Sequence, residues 1–193
     1  MTDSPWLVIG LGNPGSDYKN TRHNVGAMVI EQVIDDLGEK LAHSKKVSAD
    51  VCETRIGTTR VVLATLRSYM NESGGPTASL MNFYKIDIEN IIVLHDELDL
   101  PFGEIRIKQG GGDNGHNGLK SIRTSINSGE FVRIRLGIGR PPGPIDPADF
   151  VLKPFNFFEK SQMTEYLQAS SKALSDTVSL GVDQAQNLNN GNA

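Results

Sequence analysis

The chain has a single cysteine, Cys52, among 193 residues. One thiol closes no internal disulfide and builds no cysteine metal cluster, which suits a reducing compartment. No apolar run approaches the roughly 20 residues of a membrane-spanning helix. The opening residues MTDSPW carry neither the basic segment nor the apolar core of a secretory signal. These absences lead us to expect a cytoplasmic protein. The chain also lacks an excess of positive charge. Its formal net charge is −4, which taken alone argues against a nucleic-acid partner. That sum hides a local bias. From Glu104 to Arg140 there are seven cations (Arg106, Lys108, Lys120, Arg123, Arg133, Arg135 and Arg140) against three acidic residues, a local +4 that leaves −8 on the remainder.

Hydrophobic residues make up 38% of the chain and charged residues 22%, enough for a packed core at a length typical of one domain. Apolar runs and alternations mark strands at Leu7–Gly10, Val51–Ile56, Arg60–Leu66, Ile91–His95, Glu104–Lys108 and Val132–Ile138. Helices are expected over Asn24–Leu37, Pro76–Tyr84, Gly118–Ile126 and roughly Phe157–Leu180. The first puts Val25, Met28, Val29, Val33 and Leu37 on one face and stops at Gly38. The last shows Phe158, Tyr166, Leu167, Leu174 and Val178 at looser spacing. Ile91–Leu94 is apolar throughout, as in a central strand covered on both faces. In Val132–Ile138, Val132, Ile134 and Leu136 would face the core, and Arg133 and Arg135 would face outward. The predicted architecture is α/β, a single domain with a mixed twisted sheet flanked by helices, over residues 1–183. Residues 184–193, rich in Asn and Gly, are expected to form a flexible tail.

Gly10, Gly12 and Gly15 form a literal G-x-G-x-x-G after the first strand. A dinucleotide loop would open straight into a helix and be followed about 20 residues on by an acid at the end of a second strand. Here a Pro14-Gly15 turn and the polar stretch Ser16–Asn20 intervene, and the acids at that distance, Asp35 and Asp36, fall inside the first helix. The glycines are better read as a sharp turn that leaves Asn13 at a strand end.

Three more polar residues belong near such a crevice: His23 at the first helix start, Asp96 after the buried strand, and Asn71 beyond Arg60–Leu66. Asn117 stands ahead of another helix. A helix N-terminus disfavours imidazolium, while a carboxylate on the other ring nitrogen favours it. His23 is thus a candidate general base and Asp96 its partner, provided the two strand ends are neighbours. Asn71 can donate to a developing oxyanion. There is no G-x-S-x-G, and Cys52 lies mid-strand among charged residues, so water is the simplest nucleophile. The set reads as hydrolysis of an activated ester. His95, Asp96, Glu97 and Asp99, with His23 and His116 elsewhere, are dense enough in potential ligands to suggest a metal hydrolase, but their spacing matches no ligand pattern. No metal and no cofactor are expected.

Five stretches in register, GLGNPG with TRHNVG (Gly10–Gly15, Thr21–Gly26), SYMNESG (Ser68–Gly74), HDELDLPFG (His95–Gly103), GHNGLKSI (Gly115–Ile122) and RIRLGIGRP (Arg133–Pro141), resemble the bacterial peptidyl-tRNA hydrolase family. The resemblance implies a monomeric, metal-independent esterase that cuts the bond between a peptide and the 3′ end of tRNA. It implies that His23 is the base, that Asp96 holds it, and that Asn13 tells a blocked aminoacyl group from a free one. Asn71 and Asn117 would bind the substrate end and order water. Tyr18, Tyr69 and Met70 would line the site. Arg106, Lys108, Arg133 and Arg135 would contact tRNA phosphates, and Pro141–Lys153 would form a lid beside the cleft. Two positions depart from the family pattern: Thr65-Leu66 replaces a Lys-Pro pair, and Asn114 replaces a glycine. A non-catalytic RNA-binding module of the same fold is the alternative.

Overall fold

The computed structural model describes residues 4–191. The first three residues of MTDSPW and the last two of the expected tail lie outside it. Seven strands, β1 (Trp6–Gly10), β2 (Ala42–His43), β3 (Ala49–Ile56), β4 (Thr59–Leu66), β5 (Ile91–Glu97), β6 (Ile105–Gln109) and β7 (Val132–Gly137), form one sheet in the order β2-β3-β4-β1-β5-β7-β6. The central strands β4, β1, β5 and β7 are parallel. The outer strands β2, β3 and β6 pair antiparallel. The sheet is mixed, as the alternating pattern of the β6 and β7 segments predicts.

Helices cover both faces. On one lie α1 (Val25–Leu37) and α6 (Met163–Leu180), packed over Val8, Leu63, Ile92, Leu94 and Ile134. On the other, α2 (Gly74–Tyr84) and α3 (Asn117–Ile126) cover Leu7, Ile9, Val62, Ile91 and Val93. All of Ile91–Glu97 is buried, as a strand between two helical layers must be. Gly38 ends α1 in the left-handed conformation, φ 67°.

Several expectations need correction. Leu37 is exposed, and the buried face of α1 is completed by Ile30 and Ile34. The long final helix is broken into α5 (Phe157–Ser161) and α6, and Phe158 is exposed. The break accompanies a tether: Glu159 caps α5 with Asn156 and also pairs with Arg22, 137 residues away. Of the stretch expected to be a loose tail, residues 184–189 belong to α7 (Val182–Asn189), and Asn190 follows it. It closes the open edge of β6. Ile107 N–H donates to Asn190 Oδ1 at 2.6 Å, and its carbonyl accepts from Asn190 Nδ2 at 2.9 Å and Gln186 Nε2 at 3.1 Å. An amide side chain thus stands in for a missing strand at an edge that would otherwise be free to pair with another chain.

Arg133 does not face solvent. It is 2% exposed. Two loops fold over its strand, and its guanidinium donates to the carbonyls of Gly129 (3.1 Å) and Gly111 (2.8 Å) while lying 4.3 Å above the Phe131 ring. Burial pulls its proton affinity down to about 10. Arg135 is half-buried and bonded to Glu97 at 3.2 Å. Alternation gave the face of these side chains correctly, but not the loops that cover them.

Candidate active site

β1 and β5 are parallel neighbours, with Gly10 beside Leu94. After β1 the chain enters α1 on one face; after β5 and the β6 excursion it enters α3 on the other. Diverging connections of this kind open a crevice at the strand ends, where open α/β sheets hold ligands. Glycines permit the close approach there. A Cβ on Gly26 would run into the Leu94 carbonyl, and one on Gly10 into the Gly26 carbonyl. The helix start can therefore sit directly on the β1 and β5 tips.

His23 lies in a tight turn, Arg22–Asn24, that leads into α1. Its Nδ1 is 2.9 Å from both Asp96 oxygens. A carboxylate only accepts, so Nδ1 carries the hydrogen and Nε2 is left with a free lone pair. Burial pulls the His23 proton affinity down, but the charge and hydrogen bond of Asp96 together outweigh it, and the net direction is up. Asp96 is 4% exposed. Burial alone would favour its neutral form, yet the two imidazoles facing it hold it well below the usual carboxylate range.

The second imidazole is His116, whose Nε2 donates to Asp96 Oδ1 at 2.8 Å. Its Nδ1 accepts from the backbone N–H groups of Gly118 (3.1 Å) and Leu119 (3.4 Å), capping α3. Sequence reasoning placed His116 only among scattered metal-ligand candidates. The usable signal was its place just ahead of a helix, within two residues of the start, much as for His23. The rings of His23 and His116 are 4.9 Å apart.

These groups form the floor of a cavity of about 290 Å³, walled by Leu98, Asp113–Asn117, Asp146–Ala148 and Val151. The last two sets belong to α4 (Pro147–Val151) and its cap, within the stretch expected to act as a lid. Asn117 is in the wall. Asn114 adopts φ +49° and donates to Glu97 and Asp99, so its side chain anchors the left-handed turn that asparagine tolerates. None of the lining residues is serine, threonine or cysteine. His23, Asp96 and His116 offer potential metal ligand atoms within 4.8 Å of one another. Both Asp96 oxygens and His116 Nδ1 are engaged in hydrogen bonds, however, and this donor set fits a proton-holding couple better than a cation.

None of the remaining candidates, Asn71 included, lines this cavity. Asn13 Oδ1 accepts from Met70 N–H at 2.7 Å, and the Asn13 backbone exchanges two 2.9 Å bonds with the Asn24 side chain. Asn13 thereby ties the turn Met70–Glu72 to the β1 loop. Asn71 is exposed on that turn. Met70 is buried against Gly118 at the head of α3. Tyr18 and Tyr69 meet edge to face at 6.4 Å, and Tyr69 is 55% exposed. A second hollow, of about 340 Å³, is lined by Lys108, Gly110–Gly112, Arg133 and Arg135. Arg106 lies opposite Arg135, and Lys108 opposite Arg133, across the β6–β7 ladder.

A histidine–aspartate couple at the strand tips of an α/β sheet, on the floor of a cleft, has the geometry that a hydrolase of the water-activating class requires. Sequence comparison narrows the class. The peptidyl-tRNA hydrolase family model matches residues 7–193. Peptidyl-tRNA hydrolases of Rhodococcus erythropolis and Frankia casuarinae are 49% and 48% identical, covering 97% and 96% of this chain and 98% and 93% of theirs. The crystal structure of peptidyl-tRNA hydrolase from Acinetobacter baumannii superposes with a TM-score of 0.89 at 37% identity, over 97% of this chain and 95% of that one. The chain belongs to the peptidyl-tRNA hydrolase family.

Proposed function

We propose that this chain hydrolyses the ester joining a peptide, or another N-blocked aminoacyl group, to the 3′ end of tRNA. The observation that carries the reading is the His23–Asp96 couple at the floor of a cleft, within a chain of this family. His23 Nε2 takes a proton from water as its oxygen attacks the ester carbonyl. The imidazolium formed is stabilised by Asp96. The tetrahedral oxyanion is met by an amide donor, for which Asn71 is our choice. Collapse expels the ribose hydroxyl, which recovers the proton from His23. A general base of this kind contributes roughly 10²–10⁴ in rate.

Around this centre we assign Asn13 to discrimination of blocked from free amino groups. Asn117, Tyr18, Tyr69 and Met70 bind the substrate end; Met70, being buried, acts by holding the wall. Arg106, Lys108 and Arg135 contact tRNA phosphates beside the hollow at Gly110–Gly112, and buried Arg133 contributes by holding that loop. Phosphate contacts position an RNA without reading its sequence, which suits an enzyme that serves many tRNAs. The net charge of −4 is compatible because only one face meets RNA. We further propose that the protein acts as a cytoplasmic monomer; none of the described helices is long and apolar enough to cross a membrane.

The test is turnover on N-blocked and free aminoacyl-tRNA side by side. Release from the blocked substrate only, insensitive to chelator, is the expected result. Tight RNA binding without release from either substrate would instead favour the non-catalytic module.

A further inference from the structure

Asp96 is held from two sides. His23 approaches from the α1 end and His116 from the head of α3, with 2.9 Å and 2.8 Å bonds to the same carboxylate. The role of His23 explains the first bond and leaves the second unused. His116 is not free to be an incidental neighbour, because its other nitrogen is fixed by the Gly118 and Leu119 N–H groups. Those two donors demand a lone pair on Nδ1, so the ring hydrogen sits on Nε2, aimed at Asp96. A second ring supports the same carboxylate residue from its main chain: His95 Nδ1 donates to the Asp96 carbonyl at 2.8 Å, and its ring lies 5.2 Å from His116 edge to face.

We propose that His116 is a positioning residue, which fixes the Asp96 carboxylate from the head of α3 and shares its negative charge with His23. By accepting a hydrogen bond from His116, the carboxylate has less charge to offer His23. Without that bond the carboxylate would turn toward His23 alone and stabilise its cation more strongly, and the base would become available only at higher pH. The other groups facing the couple are Glu97, Asp113 and Asp146 around the cavity, His95 beneath it, and Tyr166 from α6, whose hydroxyl donates to the Gly137 carbonyl at 2.8 Å. None of these donates a hydrogen bond to the Asp96 side chain among the described residues; only the two imidazoles do so.

The rate consequence rests on His23 being the base, whereas the titration consequence does not, and one pair of variants reads both. His116→Asn keeps a strong N-cap for α3 but is too short to reach Asp96. His116→Gln has the reach to donate to Asp96 and is the poorer cap. The four histidines of the chain allow the His23 ring to be followed by NMR across pH, alongside kcat/KM on N-blocked aminoacyl-tRNA. In His116→Asn the His23 midpoint is expected to rise by about half to one pH unit, with about three- to tenfold lower kcat/KM on the acid side. In His116→Gln the midpoint stays close to that of the parent protein. An unchanged or lowered midpoint in His116→Asn, or an equal shift in both variants, overturns the proposal. A midpoint that rises while the kinetic limb stays put upholds the link between His116 and Asp96 but removes His23 from the role of base.

Discussion

His95 offers a prediction whose size follows from burial. It is 2% exposed, directly ahead of Asp96, with Nδ1 donating to the Asp96 carbonyl and Nε2 without a partner. Burial, helped by the neighbouring His116, lowers its proton affinity to about 3. The ring is therefore neutral in the fold across the physiological range, while in the unfolded chain it takes a proton as pH falls through about 6.5. In that window the unfolded state binds more protons, so acidification draws the equilibrium toward unfolding. Each pH unit below the unfolded midpoint costs about 1.4 kcal/mol until the folded midpoint is reached. From about pH 7 to about pH 5 the loss assignable to His95 is about 2 kcal/mol. His95→Asn isolates it, since the amide can take the place of Nδ1 as donor to Asp96 but cannot titrate. Urea unfolding of both proteins at the two pH values is the assay. The variant starts less stable, having lost packing, but its stability should fall by about 2 kcal/mol less on acidification. Other groups, His23 included, are common to both proteins and drop out of the comparison. Parallel falls for both proteins would refute the reasoning.

Two further outcomes are expected. Arg22→Met strands the Glu159 carboxylate, which is 8% exposed and bonded to Arg22 at 2.9 Å; losing one partner of a buried pair should cost about 3–5 kcal/mol in urea unfolding, and a cost under about 1 kcal/mol would mean that the pair is solvated. Lys108→Ala should weaken tRNA binding and reduce the slope of log affinity against log salt by about 1, whereas an unchanged slope would remove Lys108 from the phosphate contacts.

Features set by local chemistry were legible in the sequence. The apolar run Ile91–Leu94 announced the central strand, Gly38 the end of α1, and the polar interval Ser16–Asn20 ruled out a dinucleotide loop. Asn114 occupies a left-handed turn, which asparagine tolerates better than most residues. His23 and Asp96 could be paired on chemistry before their strand tips were known to be adjacent. What escaped notice depends on contacts between distant segments. Arg133 alternates like a surface residue, yet the Gly110–Gly112 and Gly129 loops bury it. Residues 184–193 read as polar and frayed, yet 184–189 lie in α7, and the β6 edge gives that stretch a reason to be ordered through Asn190. His116 caps α3 and reaches Asp96 beside Gly118, where an added Cβ would run into Met70, Leu11 and the His116 ring itself. Period and composition carry no trace of such meetings.

The most direct test concerns His23 itself. His23→Ala removes the base but none of the proposed phosphate contacts, so peptide release from N-blocked aminoacyl-tRNA should fall by about 10²–10⁴, while tRNA affinity stays near that of the parent protein. Release at the parental rate from that variant would contradict the assignment of His23 as the group that activates water.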